Sequence, residues 1–125
     1  MLDSATSHGT IAVTDLDRAK AFYGGTLGLK PREERSDGVT YATANGGWFL
    51  VYPSQFAGTA QSTAMTFEVD DLETVVKGLR DAGVTFEEYD FPDLKTVDGI
   101  ADIQGERAAW FKDPDGNILA IGQRA

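Results

Sequence analysis

The chain has no cysteine, a single histidine (His8) and no apolar run approaching the length of a membrane span. Without cysteine there are no disulfides, no thiolate zinc sites and no cysteine nucleophile. Eleven Lys and Arg face twenty Asp and Glu, a formal charge of −9, and no basic cluster is present to track a phosphate backbone. Nucleic acid is therefore not an expected partner, and neither is a membrane. The acidity reads first as a solubility device and second as a field that steers cationic ligands. The opening MLDSATS has neither a basic region nor an apolar stretch, so a soluble, cytoplasmic protein is expected.

What is present centres on Ala109 to Gln123, AWFKDPDGNILAIGQ. Asp113-Pro114-Asp115-Gly116 reads as a type I turn, with Asp at i, Pro presetting φ at i+1 and Gly at i+3. Strand formers flank it, so the stretch is read as a β-hairpin. Alternation puts Leu119 and Ile121 on one face of the second arm and Ile118, Ala120 and Gly122 on the other.

Towards the N-terminus, alternation from His8 predicts a strand with His8, Thr10 and Ala12 on one face and Ile11 and Val13 on the other. Thr14-Asp15-Leu16-Asp17 resembles a capping box, and Leu16, Ala19, Phe22, Tyr23 and Leu27 recur at helical spacing up to Gly28. Lys30 to Ser36 reads as a solvated strand, Asp37-Gly38 as a turn, and Val39 to Ala44 as the returning strand. After Asn45-Gly46-Gly47, WFLVY (Trp48 to Tyr52) is an apolar strand ended by Pro53.

The small and polar residues of 55–61 are the best linker, between a first module over about 7–54 and a second over about 62–124. The opening pattern then recurs, with Val13-Thr14-Asp15-Leu16-Asp17 answered by Val69-Asp70-Asp71-Leu72-Glu73, an internal repeat. Met65, Phe67 and Val69 share a strand face, while Leu72, Val75, Val76 and Leu79 form a helix stripe ending at Gly83. Val84 to Tyr89 reads as a strand and 91–105 as a long loop, a feature that usually has a function. Strand, helix and three strands, twice over, is an α+β arrangement.

DLDRAKAFYGGTLGL and FKDPDGNILAI together resemble the vicinal oxygen chelate superfamily, which includes glyoxalase I, bleomycin-resistance proteins and extradiol dioxygenases. The resemblance covers nearly the whole chain and implies one domain of two βαβββ modules whose sheets lie side by side around a cleft, and commonly a two-fold homodimer. It also implies four metal-ligand places. His8 stands at the first; the second falls on Leu50, the third on Ala64 and the fourth on Ala120. One imidazole cannot retain a metal usefully, so no metal and no cofactor are expected.

With the ligand places filled by hydrocarbon, the implied cleft is apolar and roomy. The residues expected to line it are His8, Thr10, Trp48, Leu50, Tyr52, Ala64, Thr66, Glu68, Trp110, Ile118 and Ala120. Trp48, Tyr52, Phe56, Tyr89, Phe91 and Trp110 supply aromatic surface, since not all six can be buried beneath the helices. The nearest branch is then the metal-free, bleomycin-resistance-like one: a module that holds a small aromatic or amphipathic molecule, as in antibiotic sequestration or self-resistance. The alternative is a metal-dependent lyase, isomerase or dioxygenase using His8. A lone Glu68 base is a weaker enzymatic option, because isolated strand carboxylates are more often solvated.

Overall fold

The polypeptide divides after Ala57 into two compact units, Met1–Ala57 and Gly58–Ala125, in a computed structural model that describes residues 1–125. Each unit holds one mixed sheet, neither sheet closes into a barrel, and the organisation is α+β.

In the first unit β1 (Gly9–Val13) runs parallel to β4 (Trp48–Pro53), which pairs antiparallel with β3 (Gly38–Ala42), itself antiparallel to β2 (Pro31–Arg35). Between β1 and β2 the chain forms α1 (Leu16–Lys20), which continues as a π-helix over Ala21–Thr26. Alternation decides which face is covered. Ile11, Val13, Val39, Tyr41, Phe49 and Val51 are buried together with Ala19 and Tyr23 of the helix, and the rings of Tyr23, Tyr41 and Phe49 pack 5.8–5.9 Å apart. Each of these large side chains contributes about 1.5–3 kcal/mol by leaving water.

The second unit repeats the opening. β5 (Thr63–Glu68) runs parallel to β10 (Ile118–Gln123), and α2 (Leu72–Asp81) leaves β5 as α1 leaves β1. The repeat persists in atomic detail: Asp15 accepts from the Arg18 amide and Asp71 from the Thr74 amide, each as a helix N-cap. Gly83, with φ +100, ends α2 as expected. β10 also pairs antiparallel with β9 (Glu106–Lys112), and the sheet extends through β8 (Ile100–Ile103), β7 (Leu94–Val97) and β6 (Asp90–Phe91). Leu119, Ile121, Ala109 and Phe111 are buried with Leu72 and Val76 of α2.

Several sequence expectations are corrected. The first helix is not α-helical up to Gly28: Leu27 donates to the Phe22 carbonyl five residues back, a π-type bond, where Gly24-Gly25 weaken the α-helix. Its cap is Asp15 alone, while Thr14 Oγ1 accepts from the Arg18 guanidinium. The β2–β3 turn is Ser36-Asp37, because Arg35 pairs with Gly38. Gly38 is a strand residue whose Cβ, if present, would sit 2.8 Å from the Val51 carbonyl oxygen.

Val84 to Tyr89 is not a continuous strand; it holds a single bridge, Phe86 to Phe111, plus the bond from the Glu87 amide to the Trp110 carbonyl. The outer edge of β9 is already occupied at 106–108 by β8. Residues 91–105 are not a loop but three successive hairpin connections, β6 to β7 at Pro92-Asp93, β7 to β8 at Asp98-Gly99 and β8 to β9 at Gln104-Gly105. Asp98-Gly99 and Gln104-Gly105 carry positive φ at both positions, the signature of type I′ turns. The second unit therefore has five strands after the helix where three were expected. Glu88 pins the new hairpin, accepting from Thr96 Oγ1 (2.6 Å) and the Gly99 amide (2.8 Å), and these bonds, the hydroxyl first, hold its carboxyl below the usual glutamate value.

The turn between β9 and β10 is closed by Asp113, which is 5% exposed. Its Oδ1 accepts from the amides of Asp115 (3.0 Å) and Asn117 (2.9 Å), and its Oδ2 from Asn117 Nδ2 (2.8 Å). Asp113→Ala strands those donors and is expected to cost about 3 kcal/mol in urea unfolding. A loss below about 1 kcal/mol would show that Pro114 and Gly116 close the turn unaided.

Candidate functional site

Each sheet has one face turned away from its helix, and the expected site residues are distributed over these two open faces. In the first unit Thr10 lies opposite Leu50 and Ala12 opposite Tyr52. By the pleat, Thr10, Trp48, Leu50 and Tyr52 share the face away from Tyr23 and Phe49, and Trp48, Leu50 and Tyr52 are half-buried. His8, just before β1, stacks on Trp48 with centroids 3.9 Å apart and planes 19° from parallel. The Arg32 guanidinium lies 4.5 Å from the centre of the same indole, a cation–π contact. Arg32 was not foreseeable from alternation, since β2 carries a register shift between Pro31 and Glu33 that displaces it from the regular pattern.

In the second unit the register aligns Thr66, Ala120 and Trp110 in one row across β5, β10 and β9, and Glu68, Gly122 and Ala108 in the next. These residues line a depression of about 410 Å³. Its floor is Ala108, Ala120 and Gly122, none larger than a methyl. Trp110 stands on one side, and Glu68 reaches over the floor: a Cβ on Gly122 would come within 3.3 Å of both carboxylate oxygens. Arg107, Gln123 and Arg124 contribute to the lining as well. Arg107 is tied to Glu73 at 2.7 Å, and Gln123 Oε1 accepts from the Leu72 amide.

Beside Trp110, Tyr89 meets the indole edge-on at 5.5 Å. Partial burial, with the Glu87 carboxylate adding to it, pushes the Tyr89 phenol above its usual pKa, so the ring stays neutral. None of the six aromatics expected to supply surface belongs to either core: Trp48, Tyr52, Tyr89 and Trp110 are half-buried and Phe56 and Phe91 exposed.

The Glyoxalase/Bleomycin resistance protein/Dioxygenase superfamily model matches residues 5–121. The chain belongs to this superfamily. Its fold is shared by the glyoxalase/bleomycin resistance protein of Catenulispora acidiphila DSM 44928, with 26% identity, 98% of this chain and 100% of that one covered, and a TM-score of 0.70. TnmS3, an antibiotic binding protein from Streptomyces sp. CB03234, aligns at 20% identity over 97% and 98% of the two chains, with a TM-score of 0.69. A lactoylglutathione lyase from Agrobacterium tumefaciens aligns at 20% identity over 96% and 93%, with a TM-score of 0.70. A binding protein and an enzyme share the architecture equally well, so the fold alone does not separate the two functions. Among curated proteins no sequence matches this chain.

Superfamily resemblance implies a divalent metal at four places, and the residues found there do not fit one. Leu50 and Ala120 present hydrocarbon, Ala120 from the cavity floor at 3% exposure. Ala64 is exposed and coincides with a register irregularity between β5 and β10, so that Thr63 rather than Ala64 lines the depression. The imidazole of His8 is stacked on Trp48. Nowhere do three His, Asp or Glu side chains form a group suited to holding a metal.

Of the expected site residues, Thr66, Glu68, Trp110 and Ala120 come together in the depression, while His8, Thr10, Trp48, Leu50 and Tyr52 line the other unit's open face. Ile118 keeps its place on the open side of β10 opposite Lys112, outside the depression's lining. Ala108 was missed although counting by twos from Trp110 reaches it. From the donor chemistry, protein purified without chelator is expected to carry no stoichiometric Ni, Zn, Fe or Mn, and EDTA should leave its melting temperature unchanged. About one metal per chain in elemental analysis, with a melting temperature lowered by EDTA, would overturn this.

Proposed function

We propose that this protein binds a small aromatic or amphipathic molecule without a metal, on the open face of the second sheet, and acts by holding it rather than converting it. The observation that carries the reading is the 410 Å³ depression with a methyl-and-glycine floor beside Trp110. Its volume falls within the range of small-molecule sites. Such a floor removes apolar ligand surface from water without stranding buried charges of its own, and Glu68 gives a ligand donor group somewhere to bond. TnmS3 is an antibiotic binding protein on the same fold, which supports sequestration of an antibiotic, or self-resistance, as the use. The two-fold homodimer that the family resemblance implies belongs to this reading. Light scattering at micromolar concentration should then give about twice the 13.5 kDa chain mass, and a 13.5 kDa particle would refute that part.

Burying about 200 Å² of a ligand's apolar surface contributes about 5 kcal/mol, the scale of millimolar to micromolar binding, which sets the range for titration. Ala120→Phe places a ring in the depression. It is expected to abolish quenching of tryptophan fluorescence by an aromatic probe such as acridine while shifting the melting temperature by only a few degrees. Ala108→Leu, on the neighbouring strand, is an independent block. If Ala120 were a packing residue instead, the same substitution would cost about 1–3 kcal/mol of stability with no selective loss of binding. Undiminished acridine binding in both variants would mean that the depression is not the site.

A further inference from the structure

We propose that the open face of the first sheet carries a separate anion site, in which the Arg32 guanidinium, held against Trp48, takes a carboxylate or phosphate group of a small molecule through two parallel N–H bonds. It does not rest on the binding reading above, since it uses no residue of the second sheet.

Arg32 is the extra residue of a bulge. Pro31 stands opposite Tyr41 and Glu33 opposite Thr40, so no residue of β3 answers Arg32. A bulge re-aims the side chain it inserts, and here it sends the guanidinium to within 4.5 Å of the Trp48 ring centre. Because β3 lies between β2 and β4, Arg32 passes over β3 to get there, and Ala42, which faces Trp48 in the β3–β4 ladder, offers only a methyl in its way. From the β1 side His8 lies 3.9 Å from the same indole and nearly parallel to it. Two groups this close to one ring centre cannot share a face, so Trp48 is clasped between imidazole and guanidinium.

In a chain with twenty Asp and Glu, the other arginines of the sheets and of α2 find carboxylates with ease: Arg35 meets Glu33 and Asp37, Arg80 meets Asp98, and Arg107 meets Glu73. Arg32 has no such partner. The acidic residues beside it are committed elsewhere, Glu33 to Arg35 at 3.3 Å and Glu34 to Lys20 at 3.5 Å. Contact with an indole engages the flat side of a guanidinium and leaves its N–H edge open, and Arg32 is exposed to water. That edge matches the spacing of two oxygens on a carboxylate or phosphate, and a stacked guanidinium is already ordered, so little further side-chain freedom is lost when it binds one. The net charge of −9 opposes anions at long range. Salt screens that field beyond about 8 Å under physiological conditions, and within this distance the unpaired cation decides.

The test titrates sodium acetate and inorganic phosphate at constant ionic strength, with sodium chloride as the reference salt, and follows the Trp48 indole N–H signal by proton–nitrogen NMR. Wild type is expected to show a saturable shift with at least one of the two probes, acetate alone marking a carboxylate site and phosphate alone a phosphate site. Arg32→Lys keeps the charge and loses the fork, and should weaken binding about tenfold. Arg32→Ala should abolish it, while Lys95→Ala, which removes an exposed cation of the other unit, should leave it unchanged. Melting curves establish that each variant is folded. No saturable shift in wild type, equal binding by Arg32→Lys, or binding that survives in Arg32→Ala would overturn the site. A melting temperature lowered by several degrees in Arg32→Ala, with no response of wild type to either probe, would reduce Arg32 to a rivet between β2 and β4. None of these outcomes touches the depression of the second unit, which is read with acridine.

Discussion

The carboxylate of Asp113 sets the geometry on which the second unit's open face depends. By collecting two backbone amides and one side-chain amide it closes the turn with Lys112 opposite Ile118, and from that pair the ladder places Trp110 against Ala120 and Ala108 against Gly122. A slip of β9 by one residue against β10 would turn Phe111 to the open side and bring Trp110 under α2. The same turn is held from outside, since Asn117 Oδ1 accepts from the Gly58 amide at 3.3 Å. One buried carboxyl group, well supplied with donors, thus decides which residues of the hairpin are core and which lie on the open face.

Once the register is set, the chemistry sorts by face. Tyr23, Tyr41, Phe49, Phe86 and Phe111 lie on the helix-covered sides and are buried, while Trp48, Tyr52, Tyr89 and Trp110 lie outside both cores and remain half-exposed. In the first unit the open side is crowded by His8 and Arg32 against Trp48, which leaves the indole already engaged. In the second, the corresponding space beside Trp110 is empty down to an alanine and glycine floor. Two modules built from one repeat have therefore come to differ in what their open faces can accept.

Much of this could be read from residues alone where the local signal and the tertiary environment agree. Asp15 and Asp71 cap helices, Gly83 ends one, and alternation separates Leu119 and Ile121 from Ala120 and Gly122. Reading failed where a single residue breaks the period. The irregularities at Arg32 and Ala64 shift a face without any change in residue type that would announce it. The hairpins of 94–106 were hidden because their strands are four residues long and leave Val97 and Ile103 exposed, although Asp98-Gly99 is itself a strong hairpin signal. The π-helical turn at Ala21–Thr26 has an ordinary helical stripe and differs only in its hydrogen bonds.

The hydrocarbon at Leu50, Ala64 and Ala120 and the open floor follow from the same electrostatic constraint. Two or three carboxylates or imidazoles gathered on a sheet face are tolerable while a cation compensates them; without it they repel one another and must be kept hydrated, which opposes the entry of an apolar ligand. Retaining part of a donor set would therefore be worse for binding than retaining none. The arrangement here is consistent with that logic. At the two metal-ligand places implied for the second unit stand Ala64 and Ala120, the imidazole of His8 is stacked on an indole, and Glu68 extends over the floor from an exposed edge strand where water can solvate it. Over the floor of Ala108, Ala120 and Gly122 this leaves one carboxylate, that of Glu68, and one indole, that of Trp110, which Tyr89 meets edge-on.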